Sequence, residues 1–227
     1  MQHLTPPRFD LYGPVHKALR AFMADSLIRL GRLDADDPDA LGAIGEQLLA
    51  LIATLRKHLD HEDEFIHPLL QRCRAGSAAP ADREHGEHRV ALELLAADVR
   101  GLLAAPSAAA ADAVYQQLAL LVADNLAHMR REDVEHQALL WAHCSDAELI
   151  ELHERLVASI PPEEFMGLLR WMLPAITPQQ RAGLLAALRA GAPAPVFEAV
   201  HDLACRVLDA ADRARLDRDL APLALAA

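Results

Sequence analysis

Residues 58–68, HLDHEDEFIHP, and residues 128–136, HMRREDVEH, decide how this chain is read. Setting His58 on His128 brings Glu62 onto Glu132 and Asp63 onto Asp133, with Leu69 and Leu70 against Leu139 and Leu140. A His and a Glu four apart on an α-helix lie about 40° apart in projection and about 6 Å apart along the axis. An imidazole and a carboxylate so placed share one face, where they can hold one metal ion or bridge two. His61, Asp63, Glu64, Arg130, Arg131 and Glu135 read as the solvated residues of the same helices.

The repeat extends further back. His16 precedes His58 by 42 residues, His88 precedes His128 by 40, and His85 precedes it by 43. Each half is therefore a helix with a His, a loop, and a helix with His-x-x-x-Glu. Two such hairpins packed about a pseudo-two-fold axis would bring at least four His and two Glu into one interior. Carboxylates are expensive in a low-dielectric core, and a bound cation is the natural compensation.

Composition agrees with helices. Of 227 residues, 45 are Ala and 40 are Leu, while only 4% are aromatic. Long unbranched side chains and Ala favour helix, and the residues strands prefer are scarce. An all-α protein with a sizeable core follows. The 22 Lys+Arg against 33 Asp+Glu give a formal net charge of -11 with no cationic cluster, which argues against nucleic acid as a partner. No apolar run approaches the ~20 residues of a membrane span, so no membrane partner is expected. Residues 1–10 lack the basic and apolar regions of a secretory signal, and the expected location is cytoplasmic. Cys73, Cys144 and Cys205 are odd in number and far apart in sequence, so neither a disulfide framework nor a zinc ribbon is expected.

Punctuation places the helices. Gly13-Pro14 opens the first, and Gly31 stops it. Asp37-Pro38 caps a second that runs to about Pro68. A loop at 74–80 precedes a third helix from about Ala81 to Leu103. After Pro106 and Ser107 the fourth runs from about Ala109 to Trp141. Short loops make consecutive helices antiparallel, giving an up-down-up-down four-helix bundle over 1–144. Beyond it, Ser145…Glu148 and Thr177…Gln180 are capping boxes, and prolines 161, 162, 174, 178, 193 and 195 cut 145–227 into an extension of short helices with no assigned function.

On these motifs, residues 8–144 resemble the hemerythrin-like family, the HHE cation-binding domain. The resemblance implies metal ligation by His16, by His58 and Glu62, by His85 or His88, and by His128 and Glu132. It further implies two Fe ions in a non-haem di-iron centre bridged by the two carboxylates. His85 and His88 are three apart, about 60° in projection, so both remain candidates. Glu132 fits the internal repeat, and Asp133 is the alternative bridge. Imidazole with carboxylate and no thiolate suits iron, with Mn or Zn as lesser choices. The expected activity is binding or sensing of dioxygen, nitric oxide or peroxide by a monomer or homodimer. The rivals are a stress-defence enzyme acting on peroxide or ferrous iron, and a structural, zinc-binding interaction module. His67 reads as a gate or a support for a ligand, His136 and His143 as lesser supports, and His153 and His201 as ordinary polar positions.

Overall fold

The computed structural model describes residues 8–221. The reading of the N-terminus as lacking a signal rests partly on residues 1–7, which lie outside the described residues. Among the described residues there are helices and no strands.

Four long helical stretches follow in order. They are α1 (Gly13–Leu30); α2 (Pro38–His61) continued by π1 (Glu62–Ile66) and α3 (His67–Cys73); α4 (Ala79–Ala104); and α5 (Ala108–Arg131) continued by π2 (Glu132–His136) and α6 (Gln137–His143). Four shorter helices complete the 14-residue series α7 (Asp146–Ser159), α8 (Pro162–Ala175), α9 (Pro178–Gly191) and α10 (Ala194–Val207), before α11 (Ala210–Leu220). The molecule is thus an all-α bundle with extra C-terminal helices.

Local chemistry sets these boundaries. The Asp37 side chain accepts from the Asp39 and Ala40 N–H groups at the start of α2, and Ser107 accepts from Ala110 N–H at the start of α5. Both capping boxes form as the sequence predicts. Pro174 departs from expectation: it lies inside the last turn of α8 instead of ending the helix before it.

The chain divides into two compact units. One holds Phe22–Ile160 and the stretch up to Gly13; the other holds Pro161 onward with Pro14–Ala21 of α1. In the first, Leu41, Ile44, Leu48, Leu51, Leu55 and Leu59 form a buried stripe on α2 at spacings of three and four. It faces α4, which contributes Leu92, Leu95, Val99 and Leu102, and α4 packs in turn on α5. Gln47 Nε2 on α2 donates to Asp25 Oδ2 and Ser26 Oγ on α1 at 2.8 and 3.0 Å. At one end Leu70, Leu140, Leu149 and Leu152 join Tyr12 in a second cluster, so α7 belongs with the bundle. The continuous helix Pro38–Cys73 is long and apolar enough, by length and composition, to cross a membrane; its apolar stripe is occupied in the core just described.

The second unit buries Leu169, Leu173, Leu185, Val200, Leu203 and Leu216. From α7 to α11 the helices begin at 146, 162, 178, 194 and 210, sixteen residues apart each time. Position seven of each is Leu152, Leu168, Leu184, Val200 and Leu216, an internal repeat that the helix boundaries bring out. Arg181 is buried at 2% exposure. Its guanidinium donates to the carbonyls of Leu173 and Ile176 and to Asp212 Oδ2 at 2.8, 3.4 and 3.1 Å, tying α8, α9 and α11 together.

Arg181→Ala is therefore expected to destabilise the second unit by about 3 kcal/mol, because hydrogen bonds from a buried cation are lost together. Trp141 lies in the first unit and Trp171 in the second. Denaturation followed in W141F and W171F backgrounds should show the loss at Trp171; equal loss at Trp141 would contradict the assignment.

Candidate metal centre

Both His-x-x-x-Glu stretches undergo the same backbone event. α2 and α5 are each 24 residues long, and each passes into a five-residue π segment whose first residue is the Glu. In both, the N–H five residues on (His67, Gln137) donates to the Glu carbonyl. Pro68 is not the cause, since π2 forms with Ala138 at the matching place. Such single π turns concentrate at functional sites, and here they bring residue i+5 back over the Glu. Just before each π segment, one α-helical turn brings about a matched pair of contacts, His58 Nε2–Glu62 Oε1 at 3.3 Å and His128 Nε2–Glu132 Oε1 at 3.3 Å.

Among the described residues three groups of potential ligand atoms each lie within 4.8 Å of one another; the third, Asp63, His67 and His85, lacks the buried carboxylates that the other two contain. Of those two, one is His16, His58, Glu62 and Glu132; the other is Glu62, His85, His128 and Glu132; all are buried. The two carboxylates are common to both groups. In the second, His85 Nε2 stands 3.0 Å from His128 Nε2, 3.5 Å from Glu62 Oε2 and 4.0 Å from Glu132 Oε1.

The outer nitrogens are held by carboxylates. His85 Nδ1 lies 2.6 Å from Asp63 Oδ1, and Asp63 Oδ2 accepts from Arg89 at 2.6 Å. His128 Nδ1 lies 2.7 Å from Glu84 Oε2, which also pairs with Arg131. A carboxylate on Nδ1 fixes the proton there and aims the Nε2 lone pair inward, the orientation metal-binding imidazoles adopt. Donor set and burial thus fit a cation: two carboxylates at 2% and 1% exposure need positive charge beside them.

Of the two third-helix candidates, His85 joins a donor group and His88 does not. His88 is buried one helical step away, its ring edge-on to His128 at 5.0 Å. Asp63 and Arg131, solvated residues by the sequence pattern, stay 34% and 41% exposed but also make contacts that the pattern does not show: Asp63 turns toward α4 to hold His85, and Arg131 pairs with Glu84. Those partners sit on another helix, so spacing along one helix cannot reveal them. His67 is buried, stacked on His85 at 4.8 Å, with Nδ1 2.6 Å from Asp82 Oδ1 and 3.2 Å from Asp63 Oδ1. His153 is packed edge-on against Phe9, ring centroids 5.4 Å apart, a more sheltered place than its sequence context suggests.

Three residues near the centre carried no signal in the sequence. Gln137 occupies in α6 the place His67 has in α3; its Oε1 accepts from Leu11 N–H at 3.0 Å, and its Nε2 donates to the Phe9 carbonyl at 3.3 Å. Arg8 donates to Asp146 Oδ1 and to the Trp141 and Cys144 carbonyls at 2.6–2.7 Å. These bonds strap residues 8–11 to the end of α6 and deliver Tyr12, fully buried, beside His136 at 6.3 Å between ring centroids. Burial and the charges of Glu132 and Glu62 push the Tyr12 phenol well above its ordinary value, so it remains a proton donor.

The two imidazoles of the second group are driven apart. Burial, with the charge of His128, lowers His85 to about 4 despite Asp63. Burial also acts on His128 but is outweighed by Glu132, Glu84 and Glu62, which raise it to about 9. A cavity of about 220 Å³ reaches His128 and Glu132 from the Arg74–Ser77 loop, with Glu84, Arg131 and Glu135 along its walls.

Fold and site define an all-α cation-binding bundle with a duplicated ligand hairpin. The family described as hemerythrin HHE cation binding domain matches residues 10–140, more than half of the chain, and the chain belongs to that family. No protein of curated function and no solved structure matches it.

At pH 7 the metal-free His85 thus keeps only its Nδ1 proton, whereas His128 holds a second one on Nε2. Cation binding at neutral pH should expel that proton, measurable in weakly buffered solution; loading without proton release would contradict the arrangement. Because His128 is raised in the fold, its stabilisation of the metal-free protein is complete below about 6.5, the unfolded value, and lost as pH rises through about 9. Melting of the metal-free protein should accordingly fall between those two pH values.

Proposed function

We propose that this protein holds two irons, one by His16 and His58, the other by His85 and His128, with Glu62 and Glu132 shared, and that it binds or senses a small ligand such as dioxygen. The observation that carries this is the pair of donor groups sharing the same two buried carboxylates. Four imidazoles and two shared carboxylates would hold two ions and leave them able to take a further small ligand. Iron there would supply redox electrons and open positions for dioxygen, nitric oxide or peroxide.

The chain's own residues supply the rest. Asp63 and Glu84 keep His85 and His128 turned inward. The strap at residues 8–11 excludes water from the Tyr12 side, where the phenol can donate a hydrogen bond. The cavity of about 220 Å³ is smaller than the roughly 300–1,000 Å³ that drug-sized ligands occupy. Its size and polar rim support a small polar or diatomic ligand over a bulky substrate.

Protein from iron-replete expression should contain about two irons per chain by metal analysis, as the doubled donor set requires. Anaerobic reduction and titration with dioxygen should give a saturable change in near-ultraviolet absorption that reverses on deoxygenation. Zinc alone, or iron whose spectrum ignores dioxygen, would refute the proposal. Steady turnover of added peroxide would favour an enzyme instead.

His58→Ala and His128→Ala should each lower metal content, whereas His201→Ala in the second unit should not. Asp63→Ala, which removes no ligand, should weaken metal binding by about 10–100-fold in competition with a chelator. Unchanged affinity would show that Asp63 does not orient His85.

A further inference from the structure

Cys73 and Cys144 lie 71 residues apart in sequence, yet their Sγ atoms are 3.6 Å apart. Cys73 is the last residue of α3 and Cys144 is the residue that closes α6, so the pair joins the ends of the two helices that continue π1 and π2. α3 and α6 pack on each other, and both thiols belong to the cluster around Leu70 and Leu140. Neither sulfur is among the donor groups of the metal centre.

The two thiols differ in a useful way. Cys73 is partly exposed, whereas Cys144 is buried. Burial and the neighbouring Cys73 push the Cys144 thiol up to about 11, with Glu148 adding to this and Arg72 opposing it. Cys73 is thus the thiol an oxidant meets, and Cys144 the one held in reserve behind it.

We propose that Cys73 and Cys144 are a dithiol modification site that a two-electron oxidant, hydrogen peroxide or a small disulfide, converts to an intramolecular disulfide. With peroxide, the Cys73 sulfur attacks one oxygen and the O–O bond breaks. The departing hydroxide takes the thiol proton as water, leaving a sulfenic acid on Cys73. The Cys144 sulfur then attacks the Cys73 sulfur. The S–O bond breaks, and the hydroxide leaves with the Cys144 proton as a second water. Two thiols and one peroxide give one disulfide and two waters. A small disulfide reaches the same product by two exchanges, releasing two small thiols.

The bond closes a long loop and clamps α3 to α6, which restricts the unfolded chain. The oxidised form should therefore melt at higher temperature than the reduced form. Reductant should reverse the change.

The test treats the full chain, with metal and after chelation, with limiting hydrogen peroxide or oxidised glutathione. Alkylation in denaturant and peptide mass mapping follow. Cys73 and Cys144 should vanish together from the alkylated pool, appearing as one linked peptide lighter by two hydrogen atoms, while Cys205 stays alkylatable. C205S should form the link as the unaltered chain does. C73S should not form it, and circular dichroism should confirm that this variant stays helical. Both thiols still alkylatable after oxidant, a link to Cys205 or between chains, or sulfinic acid on Cys73 without a link would each overturn the proposal.

Discussion

Everything near the centre of this bundle answers to the cost of keeping two carboxylates dry. Glu62 and Glu132 are almost wholly excluded from solvent, and an isolated buried carboxylate is tolerated only beside compensating charge or donors. Imidazoles therefore crowd around them, and their outer nitrogens are tied to Asp63 and Glu84. Those acids lie nearer the surface, where Arg89 and Arg131 neutralise them. Charge alternates from the middle outward: acid, imidazole, acid, guanidinium. A cation among the inner donors completes that alternation, and the family's cation-binding character fits it.

The architecture was legible in the sequence because it rests on local chemistry. The cap at Asp37 and the capping boxes at Ser145 and Thr177 are signals of one or two residues, and the structure forms each of them. The repeat of His58 and Glu62 in His128 and Glu132 needs only one helical turn to be read. Much of the remainder depends on what another helix presents. Asp63 looks like one more charge on a charged helix until α4 places His85 opposite it. Cys73 and Cys144 look unrelated because sequence distance says nothing about two helix ends that meet. The sixteen-residue period was present in the chain but masked by substitutions such as Pro162 and Pro178 against Asp146 and Ala194.

The N-terminal strap shows how the site borrows order from irregular chain. Phe9, Leu11 and Tyr12 are not held by a helix; they are held by Arg8, Gln137 and Trp141, which satisfy backbone groups one by one. Gln137 is the counterpart of His67, so one duplicated position now serves two purposes. On one side it supports the histidine cluster through Asp63 and Asp82; on the other it fastens the segment that carries Tyr12. The internal symmetry holds at the two His-x-x-x-Glu pairs and relaxes elsewhere: His16 and His85 already differ by one residue in their spacing to those pairs.

The paired π segments set the phase of the helix ends that follow them. A π turn holds one residue more than an α turn, so each one re-aims everything beyond it relative to the stretch before. The wide turn stands at the same offset in both halves, immediately at the glutamate, so α3 and α6 are re-aimed alike. Leu70 and Leu140 then lie together in one cluster, and a residue gained or lost in only one of the two wide turns would swing one of them away from the other.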